Sequence, residues 1–159
     1  MIIAVTGIRE LDEASMLDVE LATIDAAIAS TQMRFGGADG SDTVALESAH
    51  GRTRCEVIVP ACVVNQPAQA REAIRAYADA VVELKHPSFP RPEAYYARNR
   101  RLVDGADRLL AFTDGQMRGG TYWTIRYAVS RNVPISLVQV YRSRHEREVE
   151  RRMAQRAGR

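Results

Sequence analysis

Residues 33–46 read Met33-Arg34-Phe35-Gly36-Gly37-Ala38-Asp39-Gly40-Ser41-Asp42-Thr43-Val44-Ala45-Leu46. A short apolar run stops at two glycines, and a helical pattern opens within a few residues, with Ser41 in the N-cap position. Strand, tight turn and helix in that order form the unit from which parallel sheets are assembled.

The same alternation extends in both directions. Short, β-branched, mostly unalternating runs at 2–6, 33–35, 55–59, 80–84, 108–112 and 135–140 suit strands covered on both faces. Between them lie helical segments at 12–30, 42–50, 67–78, 92–104 and 121–131. In the first, Leu17, Leu21, Ile24 and Ile28 repeat at helical spacing and are expected to face the core. Pro67 and Pro92 stand at first-turn positions, while Gly51 and Gly105 mark helix ends. The pattern predicts an α/β fold, a single three-layer αβα domain over 1–140 with a mostly parallel sheet. Residues 85–92 form the one proline-rich loop, long enough to border a site.

Composition bounds the function. The chain has 159 residues, 46% hydrophobic and 26% charged, enough for one domain with a real core and too apolar for intrinsic disorder. No window approaches the ~18 apolar residues of a membrane span, and the opening residues do not read as a signal peptide. Cys55 and Cys62 are too few for a disulfide framework, which gives a cytoplasmic expectation. The net charge of +2 divides unevenly. Residues 1–140 carry −2, and the arginine-rich tail, 141–159, carries +4. That tail reads as a solvated helix or frayed end, with an oligomer contact or nucleic-acid arm as the alternatives.

Three glycine-bearing turns fall at the carboxyl ends of expected strands: Thr6-Gly7-Ile8-Arg9, Gly36 to Asp42, and Asp114-Gly115 with Gly119-Gly120-Thr121. That edge is where open α/β sheets bind ligands. Glycine lets a backbone approach a ligand closely, and helix N-termini supply free N–H groups to an anion. Each turn alone reads equally well as a tight connection, whereas three on one edge describe a phosphate cradle. Neither a Walker loop nor GxGxxG is present. Arg9, Arg98, Arg100, Arg101, Arg118 and Arg126 suit phosphate by residue type, and several of them fall on this edge. Tyr95, Tyr96, Tyr122 and Trp123 could stack on a base or serve the core or an interface. His50, His86 and His145 are scattered and read as surface residues, and no spacing suits a metal.

TGIR, GGADGSDTVA, ARNRRLVDGADRLLAF, the GGT helix start and PISLVQV occur in an order and spacing that resembles the SLOG superfamily. This Rossmann-like group contains the DNA-processing protein A core and the LOG phosphoribohydrolases, and its YspA/cpYpsA-related branch looks most similar. The resemblance spans residues 2–140. It implies a nucleotide or nucleotide-derived ligand, with an NAD- or ADP-ribose-like molecule among the candidates and no other cofactor indicated, and a homodimer or higher homo-oligomer. It places Gly7, Arg9, Gly36, Gly37, Asp42, Arg98, Asn99, Gly119, Gly120 and Thr121 around that ligand.

One departure bears on chemistry. LOG enzymes and nucleoside deoxyribosyltransferases carry a glutamate three residues after the threonine of the GGT-type turn, and here that position is Thr124. Cleaving an N-glycosidic bond needs a carboxylate. The leading reading is therefore a module that binds or senses a phosphorylated small molecule. The alternatives are an N-glycosidase with a relocated acid, Glu93 or Asp114, and a single-stranded DNA binder like DNA-processing protein A. The −2 charge of the body makes the last the weakest. No membrane partner is expected.

Overall fold

The computed structural model describes residues 1–158. Six strands, β1 (Ile2–Gly7), β2 (Gln32–Phe35), β3 (Arg54–Val59), β4 (Ala80–Glu83), β5 (Arg108–Thr113) and β6 (Ile135–Gln139), form one sheet in the order β4-β3-β2-β1-β5-β6. All five pairings are parallel. The helices are α1 (Glu13–Ala29), α2 (Ser41–Ala49), α3 (Ala68–Tyr77), α4 (Pro92–Val103), α5 (Gly119–Ser130) and α6 (Arg144–Ala157). The α/β three-layer Rossmann-like class expected from the sequence is the fold observed.

Successive strand residues serve opposite layers. Ile3 and Val5 of β1 enter a core with Val19 of α1 and Leu46 of α2, while Ala4 enters a second core with Leu102 of α4 and Ala128 of α5. Helices α1, α2 and α3 thus cover one face, and α4 and α5 the other. The chain winds outward from β1 through β4, then returns to place β5 on the opposite side of β1. Strand order therefore reverses at the β1/β5 junction, the point where such sheets open a crevice.

Three local expectations need correction. The stripe Leu17, Leu21 and Ile28 points to solvent, at 53%, 58% and 74% exposure. The buried face of α1 is made instead by Ser15, Val19, Thr23 and Ala27. Periodicity reveals an amphipathic helix but not which side meets the sheet, and here small residues allow close approach. Ser41 is not the N-cap of α2; Gly40 is, and the Ser41 hydroxyl donates to the Ile8 carbonyl at 2.8 Å. Helix α5 begins at Gly119, two residues before the expected start.

The carboxyl-terminal segment is a capped helix. Ser143 caps α6, and Arg147 grips Asp12 through two nitrogens, at 2.8 and 3.0 Å. Asp12 in turn caps α1 by accepting from the Ser15 amide. The Arg147 hydrogen bonds hold the Asp12 carboxyl well below the usual carboxylate range. Tyr141 and Arg142 belong to the domain, since the Tyr141 amide donates to the Ser15 hydroxyl and Arg142 reaches Asp114.

Candidate ligand-binding cleft

A cavity of about 300 Å³ opens at the β1/β5 junction, walled by the loops that leave those strands and by α4 and α5. Gly7, Arg9, Asp42, Arg98, Asn99, Gly119, Gly120 and Thr121 line it, as do Asp114, Arg118, and two residues not singled out from sequence, Glu10 and Arg142. A second lobe of about 240 Å³ adjoins it, bounded by Gly37, Asn65, Gln66, Pro67 and Tyr95 and sharing Arg9, Ala38 and Arg98 with the first.

The glycines of the three turns divide by what a side chain would meet. At Gly7, a Cβ would strike Ser41 at the start of α2 and lie 2.9 Å from Phe112 Cβ. At Gly36, it would lie 2.8 Å from Arg98 Cζ and 2.9 Å from Asp42 Oδ2. Gly37 is pressed by Ile74, Val57 and Val59. These three glycines are required by the protein's own packing. A Cβ at Gly119 would meet nothing within 4 Å, and one at Gly120 only Asn99 Nδ2, at 4.0 Å. Among the described residues no side chain caps α5, so its N-terminal amides face that open space.

Beneath the cleft lies a buried polar cluster. Asp42 accepts from the amides of Gly36 at 3.1 Å and Ala38 at 3.3 Å, fixing the second glycine turn. Arg98 donates through Nη1 to the Gly36 carbonyl and through Nε to Asn99 Oδ1 at 2.7 Å. The two charges are 6% and 7% exposed and attract one another across Gly36. Burial pushes the Asp42 carboxyl above its ordinary value, against the pull of Arg98 and the two amides. Arg98, expected at the ligand edge, lies in the floor shared by the two lobes and holds the Gly36 carbonyl. Its neighbour Asn99 keeps Nδ2 directed toward Gly120.

Three further cations line the first lobe. Arg9 is exposed, makes no hydrogen bond or ion pair among the described residues, and stands 5.9 Å from the Tyr95 ring centre at the junction of the lobes. Arg118 keeps one hydrogen bond, from Nε to Gln116. Arg142 donates from Nε to Asp114 Oδ2 at 2.7 Å. Its place two residues before the tail helix and just past a strand end was the sequence signal for it, obscured by grouping it with the tail.

The candidate acids fare differently. Glu93 is exposed on the first turn of α4 and lines neither lobe. Asp114 lines the first lobe, but Arg142 and the Gln116 amide occupy its two oxygens. Thr124 is fully buried, its hydroxyl donating to the Gly120 carbonyl at 2.8 Å. Glu10 lines the cleft without a hydrogen bond among the described residues. Among those residues no acidic, cysteine or histidine cluster could hold a metal. Of the aromatic residues only Tyr95 reaches a lobe. Tyr96, Trp123 and Tyr127 stack on one another across α4 and α5, with centroids 4.6 and 5.3 Å apart. Phe89 joins the proline-rich loop to Tyr95 at 5.9 Å.

No protein-family model and no curated protein matches the sequence. Solved structures match in fold. DNA processing protein A from Helicobacter pylori, whose reported single-stranded DNA binding mode is unique, superposes with a TM-score of 0.74 at 20% identity, over 86% of this chain and 64% of its own. DNA processing protein A from Streptococcus pneumoniae gives 0.72 at 19% identity, over 85% and 49%. The molybdenum cofactor carrier protein of Chlamydomonas reinhardtii gives 0.61 at 16% identity, over 86% and 74%. The chain thus spans about half to two thirds of the length of the two DNA processing proteins. It shares with all three a Rossmann-like α/β fold. No helix of the described residues is long and apolar enough to cross a membrane.

Proposed function

We propose that the cleft binds a nucleotide or nucleotide-derived phosphorylated molecule, as a small SLOG domain of the YspA/cpYpsA-related kind. The observation that carries the reading is the uncapped N-terminus of α5, opening at Gly119 and Gly120 into a cavity that Arg9, Arg118 and Arg142 also line. Backbone amides at a helix start and guanidinium groups together suit a phosphate. The second lobe, with the Tyr95 ring and Asn65, suits the base or sugar of the same molecule. ADP-ribose and NAD have the corresponding extended shape.

Single-stranded DNA is the second reading, favoured by two joined lobes and by the fold shared with a protein reported to bind it. Glycosidic cleavage is less well supported, because Glu93 lies outside the cleft and Asp114 is paired with Arg142. Calorimetric titration with AMP, ADP-ribose, NAD, ribose 5-phosphate and a short deoxyoligonucleotide separates these readings. A mononucleotide or ADP-ribose is expected to bind without release of free base. Arg9→Ala should weaken that binding about tenfold or more, since a charged hydrogen bond is lost at an exposed residue without a structural partner. Binding confined to the oligonucleotide, with a steep salt dependence, would favour the second reading.

A further inference from the structure

Arg142 stands on the cleft wall, and its position is set from outside the cleft. Its Nε donates to Asp114 Oδ2, and its terminal nitrogens make no hydrogen bond among the described residues. They are open to an anion in the first lobe. The Arg142 amide donates to Glu146 Oε2 at 2.9 Å, which ties the residue to the first turn of α6. Arg147, on the same turn, reaches away from the cleft. Besides gripping Asp12 it donates through Nη2 to the Ser15 hydroxyl at 3.0 Å, and its guanidinium stands 4.5 Å from the Tyr141 ring centre. Ser15 also accepts the Tyr141 amide, and the Tyr141 carbonyl accepts the Asp12 amide at 2.9 Å. The residue before Arg142 and the helix after it are thus fastened together to the start of α1. Arg147 itself lines neither lobe.

Beyond this turn every residue from Val149 to Gly158 is exposed. A helix of 14 residues with so little buried is marginal in water, so its docking depends on the few contacts of its first turn. We propose that Arg147 is a positioning residue for the cleft: its grip on Asp12 and Ser15 docks the first turn of α6, and that docking holds Arg142 toward the ligand's phosphate. The phosphate reading of the cleft, on which this rests, supplies the anion that Arg142 meets. When the first turn lifts, Arg142 loses its tie to Glu146 and leaves the wall. Only the docked state presents Arg142 beside Arg9 and Arg118, so a phosphorylated ligand favours docking. The coupling is reciprocal: the factor by which docking strengthens binding is the factor by which the ligand stabilises docking. Helix α6 is thereby a handle, outside the cleft, through which ligand affinity is set.

Calorimetry with AMP and ADP-ribose, joined to amide hydrogen exchange of the full chain, tests this. Arg147→Ala is expected to weaken the tighter-binding of the two probes about fivefold or more, although it removes no group from the cleft. Arg142→Ala should weaken it about tenfold, and the double variant should be within about twofold of Arg142→Ala, because both changes remove one interaction. Arg147→Lys, which keeps a charge but not the two-nitrogen grip, should fall between Arg147→Ala and the wild type. The reciprocal effect is read at Tyr141 and Arg147, whose amides donate to Ser15 and to the Ser143 carbonyl. Saturating probe should slow their exchange about fivefold in the wild type and leave it unchanged in Arg142→Ala. A wild type that binds neither probe overturns the phosphate reading and the coupling together. Binding that Arg147→Ala leaves within about twofold, or losses that multiply in the double variant, overturn the coupling alone. If Arg147→Ala does not fold, the exchange of the wild type and of Arg142→Ala decides by itself.

Discussion

Replacing Asp42 with alanine is expected to destabilise the protein by about 3–5 kcal/mol, the cost of leaving a buried charge and buried donors without their counterpart. The carboxylate accepts from the Gly36 and Ala38 amides and faces the 7%-exposed Arg98 across Gly36. Alanine would orphan both amides and leave the guanidinium without its opposing charge. For a domain of this size the loss corresponds to a fall in Tm of about 10 °C or more. Asp42→Asn, which keeps an acceptor oxygen and loses the charge, should fall between. Urea and thermal unfolding measure both. A loss below about 1 kcal/mol for Asp42→Ala would mean that the cluster does not organise the turn, since ordinary surface changes have effects of that size.

Gly40→Ala should cost as much. Gly40 has φ +74° and ψ −120°, a region open only to glycine. A Cβ there would run into the Arg9 backbone, with Arg9 Cα at 2.6 Å, and a carbonyl group cannot swing aside as a side-chain end can. The backbone strain alone costs on the order of 1–3 kcal/mol. Displacing the Arg9 loop adds to it and distorts the cleft wall. The expected outcome is a loss of about 4 kcal/mol or more, of the exceptional size that diagnoses backbone conflict. A variant with wild-type unfolding midpoint would contradict this close approach of the two loops.

Much of this architecture could be read from the residues. The β-branched runs located six strands because buried parallel strands need no polar alternation. The glycine turns located the ligand edge. Strand order could not be read, because nothing local states that β5 returns beside β1. The crevice between the loops after β1 and β5 exists only through that long-range pairing. Burial was misjudged for a related reason: Leu17, Leu21 and Ile28 mark a face, and tertiary packing decides whether the face meets the sheet or another surface.

Within the cleft, residue type proved a weaker guide than surroundings. Arg98 has the chemistry of a phosphate ligand, yet its hydrogen bonds hold the Gly36 turn and Asn99. Arg142, grouped by sequence with a solvated tail, lines the cavity. Glu10, one residue beyond the TGIR string, lines it as well. The glycines looked alike in sequence and differ in the structure. Gly7 and Gly36 make room for protein atoms, whereas Gly120 borders open space.

That difference gives the sharpest test of the proposed cleft. Gly120 lies in the first turn of α5 with ordinary backbone geometry, and an added Cβ would meet nothing closer than Asn99 Nδ2 at 4.0 Å. Gly120→Val should therefore unfold within about 1 kcal/mol of wild type, because only helix propensity changes. Its side chain would project where the phosphate is placed. Calorimetry of both proteins with the best-binding phosphorylated nucleotide is the deciding measurement. Saturable binding by the wild type, lost in the stable Gly120→Val variant, is the predicted result. Equal binding by the two proteins, or no binding of any phosphorylated ligand by the wild type, would contradict the account.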